Sequence, residues 1–221
     1  MDLFLDTNVL VGYSFKTDRI NIPSIHAIEN TFCKYSSTNV KKEYDRKYKE
    51  IIGIKITYMN QLINELSKKS TANPKKIKDV LNKHIISEPK IKALLDAGLS
   101  TRDINSLVTD LREMLRTCQF ESLESKKALM QCIIFIDREG NEYNDVYEKL
   151  REINLVASNH SDSVIVLDAH HVGLNKSSDL YFVTDDFGDI IKRKDGIVNY
   201  TSIKDVIPLR EFYDYCGRIG G

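Results

Sequence analysis

The sequence predicts an α/β protein with a central parallel sheet and a mostly helical insertion, and three observations lead there. Short apolar runs that stop at polar turns lie near both ends of the chain: Leu3-Phe4-Leu5 before Asp6, and Leu180-Tyr181-Phe182-Val183 before Thr184-Asp185-Asp186. Such runs read as buried strands. Helical patterns separate them, and strands held apart by helices pair in parallel. Between the two ends, residues 66–139 carry several helical segments, so the sequence divides into an α/β domain (1–65 and 140–221) and an insertion of unknown role.

Taken in order, the first strand ends at Asp6. A helix follows near Ile22–Cys33, with Pro23 in its first turn, where a missing N–H costs nothing. Tyr35-Ser36-Ser37 makes a second strand, and Thr38 or Asn39 caps a long helix. In that helix Val40, Tyr44, Tyr48, Ile51, Ile52, Met59, Leu62, Ile63 and Leu66 recur mostly at spacings of three and four. Shorter helices are expected near Pro74–Ile85, Pro89–Ala97 and Thr101–Phe120. Leu129–Ile136 fits either strand or helix, because a short apolar run has no decisive period. Glu139-Gly140-Asn141 reads as a turn and Glu142–Val156 as a helix. Ser161-Asp162 opens an apolar helix through Gly173, and a strand is expected near Ile197-Val198, with a last helix near Leu209–Tyr215.

Hydrophobic residues at 42% and charged residues at 29% are ordinary for a globular protein. No apolar run approaches the roughly 18 residues of a membrane span, and no leader precedes the first strand, so a cytoplasmic protein without membrane contact is expected. The four cysteines (Cys33, Cys118, Cys132, Cys216) are widely spaced, which argues against a zinc site or a disulfide framework. The formal net charge is zero, but eight lysines fall between Lys68 and Lys92 against Asp79 and Glu88. That stretch is either a solvated face or a grip on a nucleic-acid backbone.

The chemistry is in the carboxylates. In open parallel sheets ligands sit beyond the carboxyl ends of the strands, and Asp6 and Asp186 each fall just past such an end. Asp162 begins the helix before the second of these strands, and Glu43 lies about one turn into the long helix. Four converging carboxylates repel one another unless a cation joins them, and oxygen ligands without Cys or His favour Mg²⁺ or Mn²⁺. Each residue also has a plainer reading. Asp6 suits a turn, Glu43 a solvated helix face, and Asp162 a helix start. Asp168, six residues after Asp162, points about 240° around the helix from it and is left out. Asp185 and Asp189 are peripheral candidates beside Asp186.

Leu5-Asp-Thr-Asn-Val-Leu10 resembles the opening strand of the PIN-domain family. Ser36-Ser-Thr-Asn-Val-Lys-Lys-Glu43 resembles its second motif, Asp162-Ser-Val-Ile-Val-Leu167 its third, and Val183-Thr-Asp-Asp186 its fourth. The resemblance implies a three-layer α/β/α sandwich and Mg²⁺- or Mn²⁺-dependent endoribonuclease activity on single-stranded RNA. Asp6, Glu43, Asp162 and Asp186 would be catalytic metal ligands, and Asn8, Thr184 and Asp185 would orient them. Lys41, Lys42, Lys75, Lys76 and Lys78 are the expected RNA contacts. The insertion departs from the family's pattern, which joins the second and third motifs more briefly. A homo-oligomer and a regulatory protein partner stay open. So do two alternatives: a catalytically silent RNA-binding or assembly module, and a flap-endonuclease-like DNA nuclease. A halo-acid-dehalogenase-type phosphatase falls, because Asn8 stands where a second Asp is needed.

Overall fold

Burial on both faces explains why the first strand is a continuous apolar run. In a computed structural model, which describes residues 1–16, 18–67, 104–155 and 160–219, strand β1 (Asp2–Leu5) lies at the centre of a five-stranded sheet. Leu3, Phe4 and Leu5 are fully buried there. β2 (Cys33–Ser37), β3 (Ile134–Ile136), β4 (Leu180–Thr184) and β5 (Ile203–Pro208) complete it in the order β3-β2-β1-β4-β5, every pair parallel. The predicted α/β class with a central parallel sheet flanked by helices is therefore the observed one, with a long helical region between β2 and β3.

Register positions the chemistry. Phe4 pairs with Phe182 and Leu5 with Val183, and the two phenylalanine rings stack at 5.3 Å. The next residues, Asp6 and Thr184, therefore emerge side by side at the carboxyl edge. Helix α1 (Thr7–Ser14) starts at once behind Asp6, and α2 (Asn21–Ile28) follows. The first turn of α2 holds Pro23 as expected, but Asn30 ends the segment before Cys33 by binding the His26 and Ala27 carbonyls.

Helix α3 (Thr38–Ser67) is capped by Ser37 rather than Thr38 or Asn39, since Ser37 Oγ accepts the Val40 N–H at 3.2 Å. Helix α4 (Ile104–Cys132) extends well past Phe120. The ambiguous run 129–136 is both things in turn: Leu129–Cys132 finishes α4, and Ile134–Ile136 is strand. Glu139 and Gly140 form the predicted turn with positive φ, closed by Asn141 N–H to the Arg138 carbonyl at 3.0 Å. Helices α5 (Asn144–Glu152) and α6 (His160–Leu174) follow.

The strand expected at Ile197-Val198 is a correction. Those residues lie in helix α7 (Lys194–Tyr200), with Ile197 buried, and the strand comes later as β5. β5 escapes a pattern reading because Lys204 and Asp205 interrupt it and Pro208 ends it, all of which an edge strand tolerates. Its pairing with β4 shifts by one residue at Lys204. A short 3-10 turn (Leu209–Glu211) leads into α8 (Phe212–Ile219).

The chain forms two compact units, Met1–Lys47 with Ser125–Gly221, and Tyr48–Glu124. The sequence places the boundaries at 65/66, inside helix α3, and at 139/140, beyond helix α4. β3, assigned to the insertion by sequence, belongs to the sheet. Within the second unit Met59, Leu62, Ile63, Val108 and Leu111 are buried, and the Tyr48 hydroxyl lies 3.1 Å from Ser122 Oγ. Lys75, Lys76, Lys78 and the helices expected near 74–97 lie outside the described residues. Among the described residues no helix is long and apolar enough to cross a membrane.

Candidate metal centre

Strand ends and helix starts meet at the carboxyl edge of the sheet. Asp6, 4% exposed, caps α1: its Oδ1 accepts the Thr7 N–H at 2.6 Å. Its Oδ2 accepts the Thr184 hydroxyl at 2.6 Å and, more weakly, the Asn8 amide at 3.4 Å. Thr184 works twice, since its oxygen also accepts the Asp186 N–H at 3.0 Å. Thr184 and Asn8 are thus the side chains that donate to Asp6 Oδ2 among the described residues. On α3, Glu43 accepts the Thr7 hydroxyl at 2.9 Å and pairs with Lys47 at 2.8 Å.

Asp162 sits in the first turn of α6, 7% exposed. Among the described residues its Oδ1 has a long contact, 3.4 Å, from the Ser161 hydroxyl, and its Oδ2 is buried with no hydrogen-bond partner. Asp162, Asp186 and Asp189 each offer a carboxylate oxygen, all within 4.8 Å of one another. Of the four residues expected from sequence, two are in this tight group. Asp6 and Glu43 border it, close enough for their charges to act on Asp162.

The third member is Asp189 rather than Asp185. The Asp186–Asp189 turn is drawn together by the Asp189 N–H bonding Asp186 Oδ1 at 2.9 Å, and Asp189 is held from outside by Arg193 at 3.0 Å. Asp185 instead accepts from two nitrogens of Arg210, Nε at 2.9 Å and Nη2 at 3.2 Å. It does not orient the cluster as expected, because a partner 25 residues on claims it. The local signal for Asp189 was its spacing of three from Asp186 across Phe187-Gly188, which a tight turn folds onto one side.

Other expectations find their places. Asp168 is away from the cluster, as the helical angle requires, buried between Arg138 Nε at 2.5 Å and Asn39 Nδ2 at 3.0 Å. His170 Nδ1 accepts the Ser202 N–H, and the His171 ring meets the Tyr143 hydroxyl. Lys41 pairs with Asp45 at 3.0 Å, whereas Lys42 is exposed.

This group fits a divalent cation. A carboxylate oxygen buried without a donor costs free energy, and the ligand atoms are all hard oxygens, which suit a hard cation. Burial first, then the charges of Asp186, Asp6, Asp189 and Glu43, push the Asp162 carboxyl up to about 7. Burial raises Asp6 to about 6 against the opposing hydrogen bonds from Thr184 and Thr7, with Glu43 adding to the rise. Without a cation, protons are what relieve the repulsion.

Two outcomes follow. Because Asp6 and Asp162 bind protons more tightly folded than unfolded, their contribution to stability is fully present below about pH 4 and is lost as pH rises through 6 to 7. For Asp6 alone the loss is on the order of 3 kcal/mol. Thermal melts in EDTA should therefore fall by roughly 5–10 °C between pH 5 and pH 8, and Mg²⁺ or Mn²⁺ at pH 8 should recover much of it. A flat profile in EDTA would contradict this electrostatic picture. Thr184→Val removes a fully buried hydroxyl while keeping its shape, leaving Asp6 Oδ2 with the Asn8 contact alone. Urea unfolding should show a loss of about 1–3 kcal/mol, and a change below about 0.5 kcal/mol would deny Thr184 that role.

Compared with family profiles, curated proteins and solved structures, the chain matches none of them.

Proposed function

We propose that this protein is a metal-dependent endoribonuclease of the PIN type that hydrolyses phosphodiester bonds of single-stranded RNA. The observation that carries the reading is the partnerless Oδ2 of Asp162 within a group of carboxylates at the carboxyl edge of a parallel sheet. The order of the four sequence motifs supports it as a resemblance.

Asp162, Asp186 and Asp189 would hold the cation, with Asp6 and Glu43 at its border. Bound Mg²⁺ or Mn²⁺ supplies Lewis-acid neutralisation of phosphate charge and lowers the pKa of water. The chain's own residues do the positioning. Thr184 and Thr7 fix Asp6 through short hydrogen bonds, so that its carboxylate needs no rearrangement as charge develops. Glu43, anchored by Thr7 and Lys47, presents a second acceptor beside it for the hydrogens of an attacking water. Water adds to phosphorus as the bond to the leaving sugar oxygen breaks; the proton that the water gives up to Glu43 is matched by one that the leaving oxygen takes from solvent, so one product strand ends in a phosphate and the other in a hydroxyl.

A second reading, a silent RNA-binding or assembly module, draws on one fact: Asp6 and Glu43 already have protein partners and lie outside the tight group. One experiment separates the two. The protein is incubated with end-labelled single-stranded RNA in Mg²⁺, Mn²⁺ or EDTA, beside Asp186→Asn. Internal cleavage that requires metal and disappears in the variant supports the nuclease. RNA bound equally by both proteins and cut by neither supports the module.

A further inference from the structure

Next to the acidic cluster, and sharing Glu43 with it, a groove of about 480 Å³ opens between the first two turns of α3 and the start of α6. That volume is in the range of pockets that take a small organic group, about 300–1,000 Å³. Its lining is divided by chemistry. Lys42 and Arg46, four residues apart on one face of α3 and both exposed, supply positive charge. Val164, partly exposed on α6, supplies apolar surface, with the buried Ile165 behind it. Asn39 and Ser161 add polar groups. The Asn39 amide nitrogen already donates to Asp168, so its side chain presents the carbonyl oxygen, an acceptor, on the other side.

We infer that this groove binds the nucleotide next to the one being cut, with Lys42 and Arg46 on its phosphate and Val164 beneath its sugar and base. The inference rests on the nuclease reading, because it is the acidic cluster that places a scissile phosphate beside Glu43. Charge decides the occupant. A cluster of five carboxylates repels an incoming polyanion, and a strand can lie across it only where cations next to the cluster offset that repulsion. Lys42 and Arg46 stand at that place. Apolar surface beside basic groups suits a single strand, whose bases are exposed and need a surface to rest on.

The test is equilibrium binding of a labelled single-stranded RNA oligonucleotide in EDTA, measured across a range of salt concentrations. All proteins carry Asp186→Asn, which keeps the oxygen that accepts the Asp189 N–H. The comparison is Lys42→Ala, Arg46→Ala, their combination, and Lys204→Ala. Lys204 loses the same charge at the opposite edge of the sheet, where it pairs loosely with Asp179 at 4.0 Å. Each groove variant should weaken binding, the combination by about tenfold or more, and the combination should flatten the plot of log K against log salt by about 1.4. Lys204→Ala should match the parent. If the groove variants bind with the parent's affinity and salt slope, the groove is not on the strand's path, whatever the cleavage assay shows. If the groove variants lose binding but wild type cuts no RNA in any metal, the groove is a single-strand contact, and the nuclease reading falls together with the groove's place beside a scissile phosphate. Absence of RNA binding by every protein would overturn both.

Discussion

Asp162→Asn is expected to abolish RNA cleavage, by about a thousandfold or more, while making the metal-free protein more stable. The two effects share one cause. Asp162 is buried, has an oxygen without a donor, and faces four other carboxylates. Its charge is costly without a cation and useful only when one is present to accept it. An asparagine of the same shape removes the charge and presents an N–H that neighbouring carboxylates can accept. In EDTA at pH 8 the melting temperature should rise by about 5 °C or more, since an acid held near 7 rather than 3.8 carries a penalty on the order of 4 kcal/mol at that pH. Activity should go the other way, because losing even one preorganised hydrogen-bond donor to a transition state commonly costs about 10²–10³-fold, and here the lost group would be a ligand of the cation itself. A variant that loses stability in EDTA and retains activity would remove Asp162 from the account.

The second large effect lies outside the cluster. Arg138→Met should destabilise the protein by about 3 kcal/mol, because it leaves the Asp168 carboxylate buried with only the Asn39 amide for a partner. The pair has a positional consequence as well. Asn39 is in the first turn of α3 and Asp168 is on α6, so their hydrogen bond ties the helix that carries Glu43 to the helix that carries Asp162. Cleavage should therefore fall in Arg138→Met even under conditions where the variant is fully folded. Adding Asp168→Leu should recover most of the stability, as replacement of a whole buried pair by apolar groups often does, but not the activity. Urea midpoints and cleavage rates measured together check this. A stability change within about 0.5 kcal/mol would show the pair to be incidental.

How much of this was legible in the sequence depends on where each constraint lives. β1 and β4 could be read because central parallel strands are covered on both faces and so are apolar throughout. β3 is three residues long and follows a helix without a polar break, and β5 is an edge strand with charges inside it; neither has a pattern of its own. The Ile197-Val198 pair misled because two adjacent β-branched residues look like strand, while Ile197 is buried as one side of a short helix. In the site, Asp6, Asp162 and Asp186 could be picked out from their positions at strand ends and a helix start. The choice between Asp185 and Asp189 could not, since Arg210 decides it through a contact far along the chain. The groove at Lys42 and Arg46 was half visible: Lys42 was expected to touch RNA, but α6, which completes the groove, is more than a hundred residues away from it in sequence.

A calorimetric titration with Mn²⁺ decides whether the carboxylates at the sheet's edge hold a metal. Wild type, Asp162→Asn, Asp186→Asn, Asp189→Asn and Asp185→Asn are compared at pH 7.5. The structure predicts that wild type and Asp185→Asn bind Mn²⁺ alike, and that each of the other three binds at least about tenfold more weakly. No Mn²⁺ binding by wild type, or equal binding by all five, would contradict it.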